Sequence, residues 1–357
     1  MNRQYYLDLA DAGLCMPIGT DLVLHEHSDW EQILLDGDRL GHVLEETARR
    51  FHTPLAVPHM NLELEKFVML QLLGIPQADI AKFHFSNCPD AAMLATLRKR
   101  LDEPFTGHLQ AHIDSVKYIA TQTDLLPIGM AIGPFSLMTK LIADPITPIA
   151  MAGAGMTGDD DDEIKMVETV LEMAITIIVR SIAAQVDAGA KAIFIAEPAA
   201  NKVFISPNQM ESGSDIFDRL VMTYNNQITA YLAQHGVDLI FHCCGELIDA
   251  MVKKFAELHP VILSLGSSRN LWEDAALVPD DIVLFGNLPS KRFYSDALYN
   301  ADQVKKDGQE LCERMRATGH PFILGSECDV LSVPGCEDTI VAKATAITGC
   351  GCCCATV

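Results

Sequence analysis

Short apolar runs alternate with long amphipathic segments through the second half of the chain, and no other feature limits the fold as much. The runs are Ala192–Ala196, Val237–Phe241, Val261–Leu265, Ile282–Phe285 and Phe322–Leu324. Each has strand length and is mostly Ile, Val, Leu and Phe, as expected of strands buried on both faces. Between them Glu163–Ala188 sets Met166, Val170, Ala174, Ile177 and Ile178 on one helical face, with Gly189 as a stop. Ser206–Gln234, Glu246–Leu258 and Ala301–Thr318 have the same helical character. In the first half, Leu55–Val57, Ile80–Phe85 and Leu126–Ile132 are the expected strands. Repeated strand–helix units imply a parallel sheet with helices outside it. About eight such units over roughly 300 residues predict a (β/α)8 TIM barrel, with a doubly wound open sheet as the alternative. The expected organisation is a single domain: an N-terminal helical extension over about 1–53, a barrel over 54–349, and a Cys-rich tail over 350–357.

The 357 residues are 49% hydrophobic, enough for a large core, and carry a net charge of −22. So negative a surface opposes nucleic acid and anionic membranes as partners. The most apolar long stretch, Val167 to Val186, is interrupted by Glu168, Glu172, Arg180 and Gln185, so no membrane span is expected. Met1–Ala12 has scattered charges and no apolar h-region, which reads as a cytoplasmic protein. In that setting eleven cysteines suit metal binding or catalysis better than a disulfide framework. The acidic block Gly158–Glu163 reads as a loop and cap for the helix that follows.

Polar and metal-binding residues recur at the carboxyl ends of these strands, where parallel barrels build their active sites. His242-Cys243-Cys244-Gly245 follows Val237–Phe241 at once. In an extended or turning segment His242 and Cys244 face one point, and an imidazole with a thiolate suits Zn²⁺. Cys243 points the other way and reads as a core residue. Cys328 follows Phe322–Leu324, Glu197 follows Ala192–Ala196, and Asn287 follows Ile282–Phe285. Glu197 offers an oxygen ligand or a proton acceptor, and Asn287 a neutral hydrogen-bonding group. In the tail, Cys350-Gly-Cys-Cys-Cys offers soft ligands, but consecutive side chains point apart, which disfavours one tetrahedral site.

Seven segments, in order, resemble the uroporphyrinogen decarboxylase superfamily, and within it the zinc branch of cobamide-dependent methyltransferases that includes methylcobamide:coenzyme M methyltransferases. They are Pro58-His-Met-Asn-Leu-Glu-Leu-Glu, Ile132-Gly-Pro-Phe-Ser-Leu, Ala196-Glu-Pro-Ala-Ala, Ile205-Ser-Pro, His242-Cys-Cys-Gly, Phe285-Gly-Asn-Leu and Gly325-Ser-Glu-Cys-Asp-Val. The resemblance implies a barrel with Zn²⁺ held by His242, Cys244 and Cys328, and with Glu197 in the fourth position when substrate is absent. It implies a small thiol bound to the metal as thiolate and methylated from methylcobalamin, or from another corrinoid delivered by a corrinoid protein. A sulfonated thiol needs a cation, and Arg269, Lys202 and Arg292 lie near strand ends. The porphyrinogen decarboxylases resemble one another in an N-terminal R-Q-A-G-R block. This chain has Leu24-His-Glu-His-Ser-Asp-Trp-Glu in that region, which argues against decarboxylation. The alternatives to a methyltransferase are a decarboxylase-type lyase, a zinc-dependent epoxide:thiol alkyltransferase, and a non-catalytic metal- or corrinoid-binding protein.

Overall fold

The computed structural model describes residues 3–350. Its strands are β1 (Cys15–Ile18), β2 (Leu55–Ala56), β3 (Leu126–Ile132), β4 (Ala192–Ala196), β5 (Asp238–Cys243), β6 (Ile262–Leu265), β7 (Val283–Leu288) and β8 (Phe322–Asp329). They form one sheet in the order β1-β8-β7-β6-β5-β4-β3-β2, and every ladder is parallel. The two edge strands are consecutive in the chain, so the sheet curls into a (β/α)8 TIM barrel. Side chains bridge the seam between them: Thr20 Oγ1 donates to Val57 O at 2.7 Å, and Thr53 Oγ1 to Met16 Sδ at 3.0 Å.

Each strand is apolar on both faces because each face meets a core. Met130, Phe194, Ile240, Ile262, Phe285 and Ile323 fill the barrel, whereas Ile193, Ile195, Leu239, Phe241, Leu263 and Leu284 pack outward beneath the helices. Within β4 and β5 even-numbered residues therefore point in and odd-numbered residues point out. The remaining apolar cavity inside the barrel is about 20 Å³, so the lumen is packed and only its mouth is open to a ligand.

The N-terminal segment differs from the helical extension expected. It carries four helices, and it also supplies β1, which pairs with β8. A four-residue strand containing Pro17 gives little sequence signal; the register shift between Met16 and Ile18 accommodates a residue that lacks an N–H. The first helix closes the amino end of the barrel, with Tyr6 fully buried and Arg3 bonded to the carbonyls of His259, Pro260 and Asp281. Ile80–Phe85 is not a strand. Gln77–Ile80 is a helical turn that buries Ile80, and only Phe85 makes an isolated bridge, to Ile142. Lys82 and His84 interrupt that run, so it has no second apolar face to bury. The Ser206–Gln234 helix is broken near Gly213, whose φ of 89° ends its first piece. The acidic block caps its helix as expected, Asp161 accepting from the amides of Glu163 and Ile164.

Because β2 is only two residues long, Met130 of β3 lacks a ladder partner on that side. The Gln185 amide replaces it, accepting from Met130 N at 2.7 Å and donating to Met130 O at 2.9 Å. That approach needs Gly129, where a Cβ would sit 2.4 Å from Gln185 Oε1. Gln185 also donates to Ser181 Oγ, which donates to Glu65 Oε1 at 3.0 Å. Glu65 is 1% exposed, and burial pushes its carboxyl up from 4.5 to about 7. Above pH 4.5 the unfolded chain therefore ionises this group while the folded chain keeps its proton, so stability falls with rising pH until about pH 7. Glu65→Gln removes that term. Its stability relative to the parent, measured by urea unfolding, is expected to improve by about 1–3 kcal/mol between pH 4.5 and pH 8.

Candidate metal centre

His242 is the penultimate residue of β5 and is paired with Ala196 on one side and Ser264 on the other. Its inward parity puts the ring 5.4 Å from that of Phe194 at the top of the barrel core. Nδ1 lies 2.8 Å from Ser264 Oγ, and the side chain is 1% exposed. With Nδ1–H donating to that hydroxyl, Nε2 presents a lone pair. Nε2 is buried and has no hydrogen-bond partner. A buried orphan acceptor of this kind requires an explanation, and a metal ion supplies one.

The chain turns immediately after β5. Gly245 permits the turn, since a Cβ there would lie 2.6 Å from Asn201 and 2.7 Å from Pro198 O. The turn brings Cys244 beside His242. Cys328, penultimate in β8, arrives from the far side of the barrel. The ligand atoms of His242, Cys244 and Cys328 all lie within 4.8 Å of one another. Tetrahedral zinc with bonds of about 2.0–2.3 Å needs ligand atoms about 3.3–3.8 Å apart, a small contraction from this spacing. Two sulfurs and one imidazole nitrogen are also the donor set a borderline-soft ion prefers. The three residues fit zinc.

The two thiols shift in opposite directions. A hydrogen bond from Cys328 pulls Cys244 well below the usual thiol range against the cost of burial, helped by His242 and by the charge of Lys291; Cys328 is driven up as the donor of that bond. Lys291 escaped the sequence reading. It lies in the turn Ser290–Arg292 just after β7, within hydrogen-bond reach of Cys244 and 3.9 Å from Glu327 Oε2. The signal was available, since Ser-Lys-Arg follows β7 after a single proline. Glu327 in turn accepts from Ser267 N and Oγ, at 3.1 and 2.7 Å.

Other expected site residues have different tasks. Glu197 has outward parity and is fully buried between β4 and the helices, outside the His–Cys–Cys group. Its carboxylate accepts from Ser136 N at 2.6 Å, Phe135 N at 3.3 Å and Asn225 Nδ2 at 3.1 Å, which caps the helix Pro134–Leu141. These bonds leave it no fourth-ligand role. The Arg269 guanidinium is taken up by Asp274, Asp249 and Leu247 O. Asn287 Nδ2 donates to Gly266 O and Arg269 O at 2.8 and 2.9 Å, fixing the loop after β6. Lys202 pairs with Glu246 at 2.5 Å. Arg269 and Lys202 follow their strands as expected and Asn287 lies within the end of β7, but each is spent on joining neighbouring loops. The tail motif lies outside the described residues apart from Cys350, which is buried with its thiol 3.2 Å from Ala346 O.

Eight parallel strands around a packed lumen, with a thiol–imidazole cluster at the carboxyl mouth that could hold a metal ion, define a TIM-barrel protein. The family profile of uroporphyrinogen decarboxylase (URO-D) matches residues 68–337, and the chain belongs to that family. Among solved structures it is similar to a methyltransferase from Methanosarcina mazei, at 14% identity and a TM-score of 0.66, over 97% of this chain and 98% of that one. No curated protein sequence matches. Among the described residues no helix is long and apolar enough to cross a membrane.

Cys244→Ser and Cys328→Ser are each expected to lose most of the bound zinc in metal analysis of the purified protein. Ser264→Ala keeps the ligands but frees the imidazole, and a competition assay should show affinity reduced by about 10–100-fold. Glu197→Ala should lower Tm while the folded protein retains its zinc.

Proposed function

We propose that the protein is a zinc-dependent methyltransferase that methylates a small thiol from a methylcobamide carried by a corrinoid protein. One observation carries this reading: a His–Cys–Cys group, with a buried His242 whose Nε2 is orphaned and two half-buried thiols, placed at the mouth of a packed barrel. Catalytic zinc takes three protein ligands and keeps one position exchangeable, and among the described residues the group contains three. A closed four-ligand site would have pointed to a structural or storage role. Zinc at this position would supply the Lewis acidity that keeps an acceptor thiol deprotonated at neutral pH.

The chain's own residues prepare that chemistry. Two thiolates and one neutral imidazole offset the charge of a divalent ion, so an added sulfur keeps more of its electron density than on a cationic three-histidine site. Ser264 fixes the imidazole plane, and the packed lumen beneath excludes water from that side. A macromolecular methyl donor finds support in the surface around the mouth. The exposed large apolar side chains among the described residues are Leu35, Ile146, Val203, Tyr294, Leu298 and Leu331. All six lie in stretches of chain that follow a strand's carboxyl end, the side of the barrel on which His242, Cys244 and Cys328 also sit.

A decarboxylase acting on a polycarboxylate would need a cationic clamp. The mouth instead shows Arg269 neutralised by two carboxylates and Lys291 set against a thiol. Incubated with methylcobalamin and a small thiol such as coenzyme M, the zinc-loaded protein is expected to yield Co(I) cobalamin, read from its absorption spectrum, and the thioether. The same preparation should leave uroporphyrinogen unchanged. Turnover of an epoxide and a thiol without any corrinoid would move the chain to the alkyltransferase reading. A thiol panel that gives no cobalamin demethylation removes methyl transfer.

A further inference from the structure

With Glu197 engaged elsewhere, the metal centre lacks the fourth protein ligand expected of it. Among the described residues no further His, Cys, Asp or Glu joins His242, Cys244 and Cys328. A thioether does lie beside them. After β2 the chain crosses the carboxyl end of β8, and Met60 Sδ lies 3.9 Å from Cys328 Sγ. Met60 is half-buried and packs against the core of the barrel lumen, the same core whose Phe194 ring lies 5.4 Å from that of His242. The loop that carries it is tied down on both sides. His59 Nε2 lies 3.1 Å from Asp21 Oδ1, and Asp21 Oδ2 accepts at 2.8 Å from the amide of Ser332, four residues past Cys328. On the other side Asn61 N donates to His59 O at 3.0 Å, and Asn61 Oδ1 accepts from Glu63 N at 3.0 Å, where the helix Leu64–Leu72 begins. The thioether is thereby held in a fixed relation to the strand end that bears Cys328.

Without an ion, the Cys328 thiol donates toward Met60 Sδ. A divalent ion binds the thiolate and displaces that proton. Thiolate and thioether then face each other with lone pairs alone, and a cation that both can bind removes the conflict. The spacing suits this. Two sulfurs on one tetrahedral zinc, with bonds of about 2.3 Å, lie about 3.8 Å apart. Charge suits it as well. A divalent ion with two thiolates, a neutral imidazole and a neutral thioether has no net charge, so an incoming thiolate meets no repulsion. A carboxylate in the same place would make the centre anionic before substrate arrived. A thioether is soft enough to join two thiolates but is a weak ligand, and an anionic sulfur outcompetes it.

We propose that Met60 Sδ is the resting fourth ligand of the metal centre and covers its exchangeable position until a substrate thiol displaces it. In the exchange the metal–thioether bond breaks and its electron pair returns to Sδ. The substrate S–H bond also breaks, its pair forms the new metal–sulfur bond, and its proton passes to the buffer. The position is covered and not closed, which is what an exchangeable site requires. The displacement step rests on the thiol-binding reading of the metal centre, whereas the resting ligand does not.

Zinc-edge X-ray absorption of the full-length, zinc-loaded protein, labelled with selenomethionine, tests both parts. A selenium neighbour at bonding distance is expected in the resting protein. It should be absent from labelled Met60→Leu, which nearly preserves side-chain volume and should hold as much zinc as the parent. Saturating 2-mercaptoethanol should replace the selenium by sulfur in the parent. Calorimetry should show Met60→Leu binding this thiol roughly three- to tenfold more tightly, because no resting ligand has to leave first. A resting zinc shell without selenium overturns the assignment, whatever the variant does. Selenium that persists once the thiol sulfur has entered the shell overturns the displacement. If thiol sulfur enters the zinc shell of neither protein, the thiol-binding reading fails, and the resting selenium signal still decides whether Met60 is a ligand.

Discussion

The parallel register between β4 and β5 is the constraint from which the rest of the site follows. Ala196 pairs with His242, and alternate residues of both strands serve two cores at once. Neither strand can slip by one residue without turning Phe194 and Ile240 out of the lumen and Ile195 and Phe241 into it. The same parity that keeps these side chains apart sends His242 to the mouth and turns Cys243 and Glu197 to the helices. Packing energy spread over many apolar residues therefore fixes the direction of a few polar ones, and no strong interaction of their own is needed to aim them.

Electrostatics at the mouth work against the average charge of the molecule. The chain carries −22 overall, yet the cluster gathers an imidazole, two thiols and the Lys291 ammonium. A hydrogen bond between the thiols and a nearby cation make one sulfur ionise readily, which prepares the pair for a divalent ion. Elsewhere at the carboxyl ends, cations are already neutralised: Arg269 by Asp274 and Asp249, Lys202 by Glu246. These pairs tie the loops after β4, β5 and β6 to one another and so hold the turn at Gly245 in place. The buried Arg269–Asp274 pair is the more consequential, because loss of either partner strands a charge away from water.

The barrel seam shows how a fold with a weak edge is completed by side chains. β2 is too short to satisfy β3, and β1 is bulged at Pro17. Gln185, Thr53, Thr20 and Asp21 make the connections that a longer ladder would have made with backbone. Of these, Asp21 reaches the carboxyl end of β8, through the amide of Ser332, where Cys328 also lies. Structural necessity and chemical opportunity coincide there.

Much of the fold was legible in the sequence because apolar runs buried on both faces leave an unmistakable pattern. β3 and β4 fall on the residues expected, and the strand ends bearing His242, Cys244 and Cys328 were readable as a motif. The polar ends of β5, β7 and β8 were read as loops although they are still strand, since residues that line a mouth do not obey the apolar pattern. β1 was invisible because four residues with a proline carry no periodicity. The direction of Glu197 was decided only by the tertiary structure. A residue that follows a strand can face the lumen or the helices, and only registration against β5 and the helix Pro134–Leu141 settles which. The engagement of Arg269, Lys202 and Asn287 with neighbouring loops was equally hidden, as were Lys291 beside Cys244 and the Asp21–His59 contact. Each joins segments far apart in the chain, and local sequence carries propensity and period but no record of which distant group will arrive alongside.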